Sequence, residues 1–337
     1  MRGSRLAAAH TALALAFALA ACGKGGGAAT AKLAPAQRKE VGINGADFQP
    51  IAAKPGGYDP EAVKVQVLLD RARFSPGVID GQASDNLKRA IFAYEQANGM
   101  PGDGTLTKEV WTRLTMADPR PAVIPHAVDA DDVAGPFTPD IPKDFPGMAR
   151  LERLGYRSPA EELAESFHMS VDLLTALNPG ADFRPGSAVL VADRGGDDLG
   201  ADLGRIEIDH AQGVVRAYGV MGKLLAVYPA SLGSKSCPPL AAPLQVKAIL
   251  AQPTYSYDSD SVSDLGVARG RSEIAAGPNN PIGVVWIDLS RDGYGIHGAP
   301  DPAEVGKAAA RGCVRLTNWD ARELARGVKP GTPVVFK

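Results

Sequence analysis

The sequence predicts a multidomain α+β chain: a small three-helix domain, then a small α/β module, then a mainly β C-terminal domain built as a sandwich or barrel. Three observations predict it. Between Asp59 and Leu114 apolar residues recur at helical spacing behind polar residues suited to helix starts. Two further helical patterns and a strand-like run follow between Ser158 and Asp193, and beyond residue 202 the apolar period drops to two, in short runs separated by turns.

Each helix of the first domain has a start signal. Asp59 can cap a helix opened by Pro60, with Val65, Leu68, Leu69 and Ala72 on one face. After the turn "FSPGVIDG", Ser84 caps a second helix that turns Leu87, Ala90, Ile91 and Tyr94 inward and stops at Gly99. Thr107 opens a third carrying Val110, Trp111 and Leu114. The proline-rich residues 118–145 then read as a semi-rigid linker. In the module at 146–196, Ser158 and Glu161 form a capping box with Pro159 at the first helical position, Ser170 caps a helix burying Leu173, Leu174 and Leu177, and "SAVLVAD" reads as a strand. The Gly/Asp-rich "RGGDDLGADLG" reads as a hinge. In the C-terminal domain, 202–337, "RIEIDH", "VVRAYGV", "LLAVYPASLG", "LQVKAIL", "VVWIDLS", "YGIHG", "CVRL" and "PVVFK" are strand candidates. One helix interrupts them, with a Thr317 and Asp320 capping box, Trp319 and Leu324 inward, and Gly327 at its end.

A chain of 337 residues with net charge −2 has room for two or three domains and lacks the clustered basic surface that nucleic acid requires. Its first residues combine Arg2 and Arg5 with the apolar run "TALALAFALAAC", too short for a permanent membrane span, so 1–21 reads as an export signal. "LAAC" ends in Cys22 and resembles the lipobox of bacterial lipoproteins, which implies cleavage before Cys22 and lipidation of its thiol. Residues 22–57, rich in Gly, Ala, Pro and Lys, read as a flexible tether. With Cys22 lipidated, Cys237 and Cys313 remain, either as one disulfide or as a reactive thiol and a bystander.

The stretch "HGAPDPAEVGKAAARGCVRL" holds both His297 and Cys313. A thiol of ordinary pKa near 8.5 is mostly protonated at neutral pH, and an adjacent imidazole can take its proton. Two strand ends joined by this loop can lie side by side; Gly298 and Gly312 flank the pair, the amide of Cys313 could donate to an oxyanion, and Arg315 shares the sheet face of Cys313. Spacing alone is a weak signal, and a buried thiol beside a structural histidine stays open. His126, His168 and His210 are scattered without metal-ligand spacing, so no metal is expected; Trp286 and Tyr294 read as core or cleft wall.

Three resemblances add to this reading. Residues 58–117, through "PGVIDG" and "GMPGDGTLTKEVWTRL", look like the three-helix peptidoglycan-binding domain of cell-wall enzymes; the helix–helix–strand pattern with "LNPG" resembles the second half of a LysM glycan-binding module. From about 203 to the end the chain resembles the YkuD-type L,D-transpeptidase domain, marked by a His-Gly and a later Gly-Cys-hydrophobic-Arg element. The resemblance implies Cys313 as nucleophile, His297 as base, the Gly298 carbonyl as the group orienting the imidazole, Gly312 and Cys313 framing an oxyanion hole, Arg315 as the motif arginine, no cofactor, and acylation by carbapenems. It implies peptidoglycan stem peptides and glycan as partners and envelope proteins as possible acyl acceptors, while the lipobox resemblance at Cys22 implies a lipid anchor holding the protein on the periplasmic side of a membrane. Two departures stand out: Ala310 and Arg311 replace the family's Ser/Thr-His, and "PPLAAPLQV" behind Cys237 replaces a Pro-x-Gly turn. Arg311 cannot serve as a base, and Cys237 reads as a small buried or loop residue. A decayed, non-catalytic wall-binding scaffold is the competing expectation.

Overall fold

The computed structural model describes residues 35–52, 54, 56–233, 242–258, 271–307 and 314–337. Its first core is built from three capped helices. In α2 (Pro60–Arg71) the Asp59 carboxylate accepts from the amides of Glu61 and Ala62; in α3 (Asp85–Ala97) the Ser84 hydroxyl accepts from Leu87; in α4 (Lys108–Ala117) Thr107 accepts from Val110. Val65, Leu68, Leu69, Leu87, Ile91, Tyr94, Trp111 and Leu114 pack together between them. Ala72 falls at the end of α2 rather than on its buried face. The opposite side of α2 is buried too, because Val63 and Val67 enter a second core with Leu163, Leu173, Leu174, Leu177 and Val191. A helix apolar on both sides needs a neighbour on each, and α2 therefore joins two modules.

The second core corrects two expectations. Within the supposed tether, α1 (Pro35–Asn44) buries Ile43, and the Asn44 amide accepts from Ala122 and Val123 while donating to the Val123 carbonyl. Within the supposed linker, β1 (Val123–Ala127) pairs antiparallel with β2 (Ala188–Ala192). A two-stranded ribbon leaves edges unpaired, which lets Pro125 sit in a strand that its composition conceals. Between the two strands lie α5 (Phe145–Met148), α6 (Pro159–Ser166) and α7 (Val171–Leu177).

The C-terminal domain is a mainly β, barrel-like unit. Its strands are β3 (Leu203–Asp209), β4 (Val214–Gly219), β5 (Leu224–Pro229), β6 (Ser231–Leu232), β7 (Leu244–Ala251), β8 (Tyr255–Asp258), β9 (Arg271–Ile274), β10 (Val285–Leu289), β11 (Gly295–His297), β12 (Val314–Arg315) and β13 (Pro333–Phe336). Nine of them form one sheet in the order β5-β4-β3-β13-β7-β10-β11-β12-β6, while β8 and β9 form a separate ribbon that the alternation did not announce. The pairs β3/β13 and β11/β12 are parallel. Ile206, Ala217 and Tyr228 from one end of the order share a single core with Ile296, Val314 and Leu316 from the other, so the sheet curls over itself. Helix α8 (Asn318–Gly327), capped by Thr317, adds Ala321 and Leu324 to that core and buries Trp319.

The modules are stitched together. Ser75 donates its amide to the Val227 carbonyl and Val227 donates to Arg73, extending the β5 edge with a segment from the first domain. Residues 194–204, read as a hinge, are held in place: Asp193 just before them pairs with Arg71 at 2.7 Å, Asp197 within them pairs with Arg326 at 3.4 Å, and Leu199 enters the sheet core. Residues Pro35–Lys337 form one compact unit. Shared cores couple unfolding, so calorimetry of the protein should show a single cooperative transition; separate transitions for the helical and β domains would contradict the shared-core packing.

Candidate active site

Cross-strand register builds the site. Trp286 on β10 pairs with His297 on β11, His297 with Arg315 on β12, and Arg315 with Ser231 on β6. Register partners share a face, so these four residues form one row across the sheet, while the alternate residues Ile287, Ile296 and Val314 point into the core. Gly295 keeps the row open: a Cβ there would come within 2.4 Å of the Trp286 indole, which instead stacks on the His297 ring at 5.6 Å between centroids.

His297 is fully buried, and its Nδ1 lies 2.7 Å from the Gly298 carbonyl. A carbonyl only accepts, so Nδ1 carries the hydrogen and Nε2 keeps a lone pair. Among the described residues Nε2 is buried with no hydrogen-bond partner. Burial pulls the imidazole down to about 4; the Gly298 carbonyl opposes the shift and the Arg315 guanidinium adds to it. At neutral pH the ring is thus an uncharged base whose Nε2 lone pair can accept a proton. Arg315 is half-buried; burial lowers its pKa, against the attraction of Glu304 and then Asp301, and its Nε has no partner among the described residues.

Behind Gly298 lies a support that sequence reasoning missed. A Cβ on Gly298 would stand 2.3 Å from the Asn318 side-chain oxygen, and buried Asn318 accepts from the Val284 amide while donating to the Pro278 carbonyl and to the Glu165 carboxylate at 3.0 Å. Glu165 belongs to α6 of the middle module; nothing local in its sequence marks it as a partner of a residue 153 positions away. Burial raises Glu165 to about 7, with Arg322 and the Asn318 amide opposing the rise. A carboxyl raised above its unfolded value near 4.3 holds a proton in the fold that the unfolded chain has released, so its contribution is full below about pH 4 and is lost as pH rises toward 7. Glu165→Gln should therefore gain melting temperature relative to wild type on going from pH 5 to pH 8, by a few degrees. Parallel pH dependences in the two proteins would count against this.

The structure brings His297, Gly298 and Arg315 together. Cys313 and Gly312 lie outside the described residues, as do Ala310, Arg311, Cys237 and Cys22. The residue after Cys313, Val314, pairs with Ile296, and the Leu316 amide donates to the His297 carbonyl at 2.9 Å. Elsewhere His126 bonds Asp132, and His168 bonds Asp70 and stacks on Trp319, each within the packing of the modules.

Residues 204–336, which contain this row, match the family described as "L,D-transpeptidase catalytic domain", YkuD. The match takes in nearly the whole C-terminal domain. Residues 58–114, which hold α2, α3 and most of α4, match the family "Putative peptidoglycan binding domain". The transpeptidase domain is similar to the "Putative L,D-transpeptidase YkuD" of Bacillus subtilis strain 168, with 49% identity over 59 residues that cover 18% of this chain and 36% of that one. The "Probable L,D-transpeptidase YbiS" of Escherichia coli strain K12 is 28% identical over 187 residues, 54% of this chain and 61% of that one. The chain thus spans between about a third and three-fifths of the length of these relatives. Among solved structures, an Xylanimonas cellulosilytica L,D-transpeptidase aligns at 15% identity and TM-score 0.38, covering 87% of this chain and 100% of that chain. The catalytic domain of an Enterococcus faecium L,D-transpeptidase acylated by ertapenem aligns at 21% identity and TM-score 0.31, covering 40% and 98% respectively.

Proposed function

We propose that the protein is a cysteine acyl-transferase acting on peptidoglycan, with Cys313 as nucleophile and His297 as general base. The observation that carries this reading is the state of His297: oriented through Nδ1 by Gly298, uncharged, and with Nε2 unpartnered among the described residues, beside the strand that begins just after Cys313. Nε2 takes the thiol proton as sulfur bonds to the carbonyl carbon of the third residue of a tetrapeptide stem. The amides at Gly312 and Cys313 receive the oxyanion. The intermediate collapses, the carbon–nitrogen bond to the terminal D-Ala breaks, and the imidazolium returns its proton to the departing amine. A thioester remains. An amine on a neighbouring stem then attacks it, gives its proton to His297 and releases the thiol, leaving a 3-3 cross-link. An amine of an envelope protein would yield an anchored protein instead, and water would yield a trimmed stem. Arg315, next to the base and half-buried, is suited to a substrate carboxylate.

The peptidoglycan-binding domain supports a place in the cell envelope, and the strand–helix–helix–strand unit of β1, α6, α7 and β2 supports a LysM-like second grip on glycan. Among the described residues no helix is long and apolar enough to cross a membrane, and we infer anchoring through lipidated Cys22. The reaction is tested by incubating the purified protein with a disaccharide-tetrapeptide and an amine-bearing acceptor stem. Release of D-Ala with appearance of the cross-linked dimer is expected. An unchanged tetrapeptide, with the protein still bound to sacculi, would leave the decayed scaffold as the reading.

A further inference from the structure

We propose that Asn86 and Arg89 of the peptidoglycan-binding domain are positioning residues for acyl transfer, holding the segment that leads away from His297. The inference rests on the transpeptidase reading above. The buried Asn86 amide donates from Nδ2 to the Val305 carbonyl at 2.8 Å, and its Oδ1 accepts from Arg89 Nη1 at 2.7 Å. Both ends of the amide are thus used, which fixes its orientation. Arg89 Nη1 also donates to the Gly306 carbonyl at 3.1 Å. Residues 219 and 217 positions apart in sequence, in two different domains, meet at one short stretch of backbone.

The receiving segment is fitted to the grip. Gly306 has φ +80, a left-handed backbone conformation, and a Cβ there would stand 2.1 Å from Asn86 Oδ1. Only glycine leaves room for the contact. From the other side the Gly306 amide donates to the Ser231 hydroxyl at 2.9 Å, and Ser231 is the register partner of Arg315, which pairs with His297. The same stretch carries Asp301 and Glu304, the carboxylates that act on Arg315. Releasing Asn86 therefore frees the backbone that carries the charges facing the catalytic row, at a site where misplacement by about an ångström can cost up to about 100-fold in rate. The binding domain does more than deliver the enzyme to the wall: its docking completes the shape of the active site.

The test uses the full-length protein and its variants Asn86→Ala and Gly306→Ala, which undo the contact from opposite domains. The probe is a carbapenem, read as the maximal rate of Cys313 acylation and the half-saturating concentration, at a temperature well below every melting midpoint. Each variant should acylate about 10- to 100-fold more slowly at unchanged half-saturation, with sacculus co-sedimentation as in wild type. The double variant should be no slower than the slower single, because both changes break one contact. Wild-type acylation rates in both variants, or losses that multiply in the double, would overturn the positioning role while leaving the transpeptidase reading intact. A wild-type protein that takes no adduct would overturn the transpeptidase reading itself, and the positioning role with it.

Discussion

Cys313→Ala should abolish D-Ala release and cross-link formation while leaving sacculus binding as in wild type. The expectation follows from the division of labour in the chain. Residues 58–114 match the binding family and hold their own apolar core, built on Leu69, Leu87 and Trp111, so the proposed wall grip does not depend on the sulfur. No second nucleophile stands ready in the row of Trp286, His297, Arg315 and Ser231: the Ser231 hydroxyl already accepts from Gly306 and lies two strands from the base. Cys313→Ser should rescue little. A hydroxyl is far less acidic than a thiol, and an imidazole held at about 4 is a weak base for deprotonating it. Comparing D-Ala release and co-sedimentation in the three proteins checks this, and simultaneous loss of both activities in the alanine variant would mean that the two domains are not separable in function.

His297→Gln should lower the rate of Cys313 acylation by about 100- to 10,000-fold, the range for removing a general base. Glutamine roughly fills the volume against Trp286 yet cannot accept a proton in exchange for one. The pH profile should bear the mark of the site. Because burial holds the imidazole at about 4, its basic form persists as pH falls well past 6.5, and the acid limb of the wild-type acylation rate should lie near pH 4 to 5. A limb near 6.5 would mean that the ring is solvated in the working enzyme.

Local chemistry made much of this molecule readable in advance. Helix starts at Asp59, Ser84, Thr107, Ser158, Ser170 and Thr317 are set by a side-chain oxygen meeting amides two or three residues on, and each is where its residues foretell. The period-two runs likewise became the sheet strands, since one face of each had to be buried. What stayed hidden depends on partners far away in sequence. Helix α1 and strand β1 lie in stretches whose Gly, Ala and Pro content argues for flexible chain, and they are ordered through the amide of Asn44 and the register with β2. The hinge was masked similarly, held by Asp197 within it on Arg326 and by Asp193 just before it on Arg71. At the site, His297 was marked by its own motif, whereas Asn318 and Glu165 behind it, and Asn86 on the opposite flank, carry no local pattern that distinguishes them from a helix-start amide or a surface carboxylate.

The most direct test of the account is peptide mapping by mass spectrometry after incubating the intact protein with a carbapenem. One adduct is expected, on the peptide containing Cys313, and none in His297→Gln on the same timescale. Recovery of Cys313 joined to Cys237, or of an unmodified Cys313 at full exposure, would contradict it.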